Sequence, residues 1–174
     1  MRKEKRSIPV RKLFTTRSLA LGAIIAALYA ALTLLLPIIS YGEWQCRLSE
    51  ALTMLPVLFP EAVPGLTLGC LIANLMSPVG PLDIVFGTLA TLIAAIGTRL
   101  LRKNLIAAAA CPVLSNALIV GGMLAYVYHI SFPLTALQVG LGELAAVLLG
   151  CLMLRFLWRN QELLKIAGVH PNEK

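Results

Sequence analysis

LSEALTMLPVLFPEAVPGLTLGCLIANLM, residues 48–76, is the stretch whose reading decides the architecture of this chain. It is apolar enough for one oversized helix, yet Pro56, Pro60 and Pro64 interrupt it, with Glu61 and Gly65 between them. Proline removes a backbone donor and its ring clashes with the preceding turn. The stretch therefore reads as two short helices that turn across residues 59–64. The consequence is topological: two segments instead of one make the total even and return both chain ends to the same side.

Working outward, residues 40–47 (SYGEWQCR) are polar and aromatic and read as a loop, and residues 19–39 as a first apolar helix ending near Pro37. On the other side, 77–81 (SPVGP) is a turn by composition, followed by apolar helices over 82–101, 105–128 and 132–158. Crossing about 30 Å of hydrocarbon takes about 20 apolar residues. Six crossings in 174 residues leave about 29 residues for each span and its connection, which is tight but workable. The two proline-flanked helices are the shortest, and such broken segments are tolerated where they line a cavity.

Composition agrees: 59% of the residues are hydrophobic, 13% are charged, and the mean hydropathy is +0.85. A soluble domain of this size needs more polar surface, so a bilayer supplies much of the solvent. The net charge of +7 does not indicate nucleic acid, because no aromatic-interleaved basic groove or nucleic-acid motif accompanies it. Instead, fourteen of the fifteen basic residues fall before the first helix, around 99–103, or from Arg155 onward. If the N-terminus is cytoplasmic, all three clusters lie inside, as the positive-inside rule requires; Arg47 is the exception. The expected fold is thus an all-α membrane protein with six transmembrane helices and cytoplasmic N- and C-termini. Its parts would be a basic cytoplasmic segment (1–16), the membrane domain (17–158) and a cytoplasmic tail (159–174). The charged start resembles a signal peptide, but no small-residue cleavage site follows the first apolar run, so that run is expected to be retained.

Ionisable groups inside spans are costly unless paired or facing a wet cavity. Glu143 stands about eleven residues into the last helix, roughly 16 Å deep. Asn116 and Asn74 lie at similar depth, Asp83 opens the fourth helix, and Glu50 opens the second beside Arg47. Together these predict a polar cavity open to the outside, lined with carboxylates and amides and roofed by the 40–47 loop with Tyr41 and Trp44. Plainer roles stand beside this: Asp83 as a helix cap, Arg47 and Glu50 as a mutual pair, and the asparagines as interhelical glue. Tyr126, Tyr128 and Trp158 fit interfacial belts. Four scattered cysteines without a CxxC pair suggest apolar packing, with neither metal nor cofactor implied.

Helix 1 carries two small-residue stripes, Gly22, Ala26, Ala30 and Ala23, Ala27, Ala31. Such stripes let helices approach closely in lipid, within the chain or toward a partner. The chain lacks a GxxxxGK[ST] loop, HExxH and GxSxG, and has one aspartate only, so an enzyme is the least expected reading.

The blocks CRLSEALTMLPVLFPEAVPGLTLGCLIANL (46–75) and LDIVFGTLATLIAA (82–95), with the alanine-striped first helix, resemble the QueT family. These are substrate-binding S components of energy-coupling factor (ECF) transporters, associated with queuosine precursors. The resemblance implies a six-helix bundle holding one vitamin-like ligand near its outer side. It also implies docking through Ala23, Ala27 and Ala31 on an ECF coupling transmembrane subunit, itself driven by two cytoplasmic ATPase subunits. The implied substrate is a 7-deazaguanine such as preQ1 or queuine. On this reading Glu143 and Asn116 contact the base, and Asp83 or Glu50 holds the amine. Arg47, Tyr41 and Trp44 form a lid. An S component for another vitamin, a standalone proton-coupled carrier and a non-transporting scaffold stay open as alternatives.

Overall fold

A computed structural model describes residues 15–36, 47–160, 162 and 164. Among them every regular element is helical. In chain order these are α1 (Thr16–Leu35), a 3-10 helix (Leu48–Val57), α2 (Ala62–Asn74), α3 (Asp83–Leu100), α4 (Leu105–Tyr128) and α5 (Phe132–Arg159). Four of these, α1, α3, α4 and α5, are long and apolar enough to cross a membrane. The 3-10 helix and α2 are shorter apolar segments. The 48–76 stretch does split in two, and the turn falls at 58–61, where the prolines place it.

The 3-10 form of the first half differs from the expected α-helix, and its ends explain how it persists. Pro60 has no N–H for the carbonyls of Pro56 and Val57, so Nη1 of Arg99, on α3, donates to both (3.1 and 3.3 Å). Within the segment, Thr53 Oγ1 donates to the Glu50 carbonyl (2.5 Å). At about 2.0 Å per residue, ten residues of 3-10 helix reach roughly 20 Å, against 15 Å as an α-helix. That extension lets the segment run along α3 from its Asp83 end to its Arg99 end.

Local chemistry sets the other boundaries. The Thr15 side chain accepts from Ser18 N and starts α1 at Thr16, three residues earlier than the apolar pattern suggests. Asn104 caps α4 by accepting from the N–H groups of Ile106 and Ala107. Inside α4, Pro112 cannot donate to the Ala108 carbonyl; Thr98 Oγ1 from α3 donates there instead (3.2 Å). Gly80 turns the 77–81 connection with φ of +79°, a conformation that suits glycine.

Helices α1 and α2 pack backbone to backbone. A Cβ on Gly65 would stand 2.6 Å from the Gly22 carbonyl oxygen, and one on Gly69 2.7 Å from that of Ala26. The Gly22, Ala26, Ala30 stripe is therefore spent inside the chain. The stripe of Ala23, Ala27 and Ala31 is exposed.

The distribution of polarity is inverted relative to a soluble protein. Thr33, Ser49, Glu50, Thr53, Asn74, Asp83, Thr91, Thr98, Asn116 and Glu143 are all buried, whereas Ile24, Leu28, Leu118, Leu148 and Leu152 face outward. Lipid as the outer solvent accounts for both halves of that pattern. Successive segments alternate in direction. Ser18 Oγ donates to Glu61 at one end, near Arg99, while Thr33, Arg47, Asn74 and Asp83 meet at the other.

Candidate functional site

The end away from the basic clusters holds a buried polar assembly. Arg47, immediately before the 3-10 helix, is 4% exposed. Its Nη2 lies 2.9 Å from Asp83 Oδ2 on α3, and its Nη1 donates to Asn74 Oδ1 on α2 (3.2 Å). Ser77 Oγ donates to the same Asp83 oxygen (2.6 Å), and Asn74 Nδ2 donates to the Asp83 carbonyl (2.9 Å). Cys70 packs in the apolar core, as expected, and also borders this network. Its sulfur accepts from Asn74 Nδ2 (3.3 Å) and Thr91 Oγ1 (3.2 Å). Gly87 leaves the space it needs, since a Cβ there would come within 2.6 Å of Asp83 Oδ1 and 2.7 Å of Asn74 Nδ2.

Two π-turns shape the site, Asp83–Gly87 in α3 and Asn116–Val120 in α4. Each opens on a residue the sequence singles out. A π-turn takes one residue more than an α-turn, which re-aims the side chains around it. Asp83 does not cap its helix; its carboxylate is taken up by Arg47 and Ser77 instead.

Beside this network, Arg47, Glu50, Asn116, Val120, Val139 and Glu143 line one cavity. Its empty space is about 210 Å³ counting the open mouth, and its interior has room for about one water molecule. A larger guest therefore enters only if the walls give way. Glu50, 2% exposed, is held by Tyr29 on α1, whose hydroxyl donates to Glu50 Oε1. Thr91 Oγ1 stands 3.5 Å from the same oxygen. Glu50 Oε2 and Asn116 Nδ2 are buried with no hydrogen-bond partner among the described residues. Buried polar atoms left so are costly, and a ligand with matching donors and acceptors relieves that cost.

Four of the eight expected binding residues thus share the cavity wall: Arg47, Glu50, Asn116 and Glu143. Asp83 and Asn74 stand one layer back, on the far side of the Arg47 guanidinium. Tyr41 and Trp44 lie outside the described residues. The sequence reading missed Tyr29, Thr33, Ser49 and Thr91. A signal for the first two was present, since Tyr29 and Thr33 are polar positions one turn apart in an otherwise apolar helix. Tyr126, Tyr128 and Trp158 are exposed, as residues of an interfacial belt are.

Outward-facing apolar helices around buried acids and amides that line a small polar cavity define a multi-pass membrane protein. The family model described as QueT transporter matches residues 19–159, and the chain belongs to that family. That family is described as a transporter family. Among curated proteins it is similar to "Queuosine precursor transporter QueT" of Lactococcus lactis subsp. cremoris (strain MG1363), with 40% identity over 73 residues. That match covers 41% of this chain and 43% of the relative. No solved structure matches the chain.

Proposed function

We propose that the chain is the substrate-binding S component of an ECF importer that captures a 7-deazaguanine queuosine precursor from outside. It spans the cytoplasmic membrane six times, counting the 3-10 helix and α2, with both termini in the cytoplasm. The carrying observation is the convergence of Glu50, Glu143, Asn116 and Arg47 on one cavity at the end remote from the basic clusters. Family membership and the name of the Lactococcus relative support the ligand class.

The chemistry suits such a guest. Asp83 balances the Arg47 charge, so Glu50 and Glu143 give the cavity an acidic lining. A guanine-like edge presents adjacent N–H donors that a carboxylate accepts in pairs, and preQ1 adds a cationic aminomethyl group. Asn116 offers an amide carbonyl as acceptor and an amide NH2 as donor to the same edge, and Val120 and Val139 provide apolar walls for the ring. Asp83 and Asn74 serve the ligand through Arg47 rather than by touching it. Tyr41 and Trp44 complete the lid, and the exposed Ala23, Ala27 and Ala31 dock the coupling subunit, with two ATPases beneath it.

A thermal-shift panel of preQ1, queuine and unrelated vitamins tests the ligand class. A ligand at 100 times its Kd stabilises the folded state by about 2.7 kcal/mol. Stabilisation by the 7-deazaguanines alone supports the reading; stabilisation by another vitamin alone replaces it. Uptake of preQ1 into vesicles containing this chain without any ATPase would contradict the S-component role.

A further inference from the structure

The carboxylate of Glu50 does not stand on its own segment alone. Two side chains of α1, Tyr29 and Thr33, reach across to the first turn of the 3-10 helix. Tyr29, fully buried, donates its hydroxyl to Glu50 Oε1. One turn on, Thr33 Oγ1 pairs with Ser49 Oγ (2.7 Å) and bonds back to the Tyr29 carbonyl (2.9 Å). Thr33 and Ser49 are likewise fully buried. The two α1 residues therefore meet two successive residues of the binding segment, Ser49 and Glu50. The result is asymmetric use of the carboxylate: Oε1 is engaged by Tyr29, while Oε2 makes no hydrogen bond of normal geometry among the described residues and has the Asn116 side chain, in the same cavity wall, as its nearest polar neighbour. Glu50 lines the cavity, so the oxygen left over belongs to the group a ligand meets.

We infer that Tyr29 and Thr33 are positioning residues that fix Glu50 so that its second oxygen accepts from a donor on the ligand, which makes α1 part of the binding site. This rests on the S-component reading above for the identity of the ligand. The physical reason is preorganisation. A carboxylate with one oxygen fixed loses little rotamer freedom when the other is engaged, whereas an untethered glutamate must be ordered at the moment of binding. Helix α1 is itself a fixed support, because Gly65 and Gly69 bring the α2 backbone against it.

The test is a double-mutant cycle read by equilibrium titration with preQ1, on the full chain in detergent or nanodiscs. Tyr29→Phe keeps the ring and removes the donor; it is expected to weaken preQ1 binding roughly tenfold, the order of a hydrogen bond to a charged acceptor. Thr33→Val is a second variant of near-equal shape, with an expected loss of about threefold through Ser49. In a Glu50→Gln background Tyr29→Phe changes affinity by less than about twofold, because the group it positions is already altered. A purely structural role does not produce that non-additivity. A spectroscopic readout accompanies it: the ligand-induced infrared difference spectrum contains a carboxylate band that shifts in Tyr29→Phe and vanishes in Glu50→Gln. Unchanged affinity in Tyr29→Phe, or an equal loss with and without Glu50, overturns the inference while leaving the S-component reading intact. Unchanged affinity in Glu50→Gln overturns it as well. Absence of preQ1 binding by the unsubstituted chain removes the ligand assignment itself and this inference with it.

Discussion

Two arginines address the same 3-10 helix from opposite ends, and their surroundings differ in kind. Arg99, half-buried, gives its donors to two carbonyls that Pro60 cannot serve, which is a capping task. Arg47, almost wholly buried, is neutralised by Asp83, steadied by Asn74 and set in the wall of a cavity. A guanidinium that only terminates a helix needs carbonyl oxygens; one kept inside the protein beside a void needs a counter-charge. The Arg99 contacts close one end of a helix, whereas the Arg47 contacts hold a buried charge pair beside a cavity.

The largest effect is expected at Arg47. Replacing it with Met leaves the Asp83 carboxylate buried without its ion-pair partner, and an expected loss of about 3–5 kcal/mol appears in chemical denaturation. Combining Arg47→Met with Asp83→Leu removes both charges and is expected to recover most of that stability. Ligand affinity should stay lost in the pair, since the cavity wall no longer carries the guanidinium. Recovery of binding together with stability would show that Arg47 serves the fold alone.

Glu143→Gln comes next. It keeps the shape while removing the charge and turning one acceptor oxygen into an NH2 donor. Affinity for preQ1 should fall ten- to a hundredfold, about 1.4–3 kcal/mol, with little change in unfolding midpoint. Arg99→Gln gives the opposite signature. Stability should drop by about 1–2 kcal/mol as the Pro56 and Val57 carbonyls lose donors, while affinity stays within about twofold. The smallest effect on the isolated chain is expected for Ala27→Leu on the exposed stripe of α1. Neither stability nor affinity should move, yet co-purification with the coupling subunit should be lost. A bulky residue tolerated there would place the docking face elsewhere.

Much of this was legible in the residues. Apolar runs and turn chemistry gave α3, α4 and α5 to within a residue or two, and the three prolines of 48–76 gave the break between the short helices. The π-turns were not legible, because one extra residue in a turn leaves no mark in apolar spacing; tertiary contacts stabilise it. The same limit explains Asp83. Its place at the start of the fourth helix marks it as a binding residue or a cap, but its partner Arg47 lies 36 positions away, and only the fold shows that this carboxylate is already engaged. Tyr29 and Thr33 could have been found from their spacing in α1, yet their partners Ser49 and Glu50 belong to a segment whose 3-10 geometry no propensity announces.

The most direct measurement is a side-by-side preQ1 titration of the unsubstituted chain, Glu143→Gln and Arg99→Gln, with unfolding midpoints measured on the same samples. Saturable binding that Glu143→Gln weakens at least tenfold and Arg99→Gln leaves unchanged is the expected result. Equal affinity in all three, or a loss in both variants that tracks their stability, would contradict a solute site built from the buried acids.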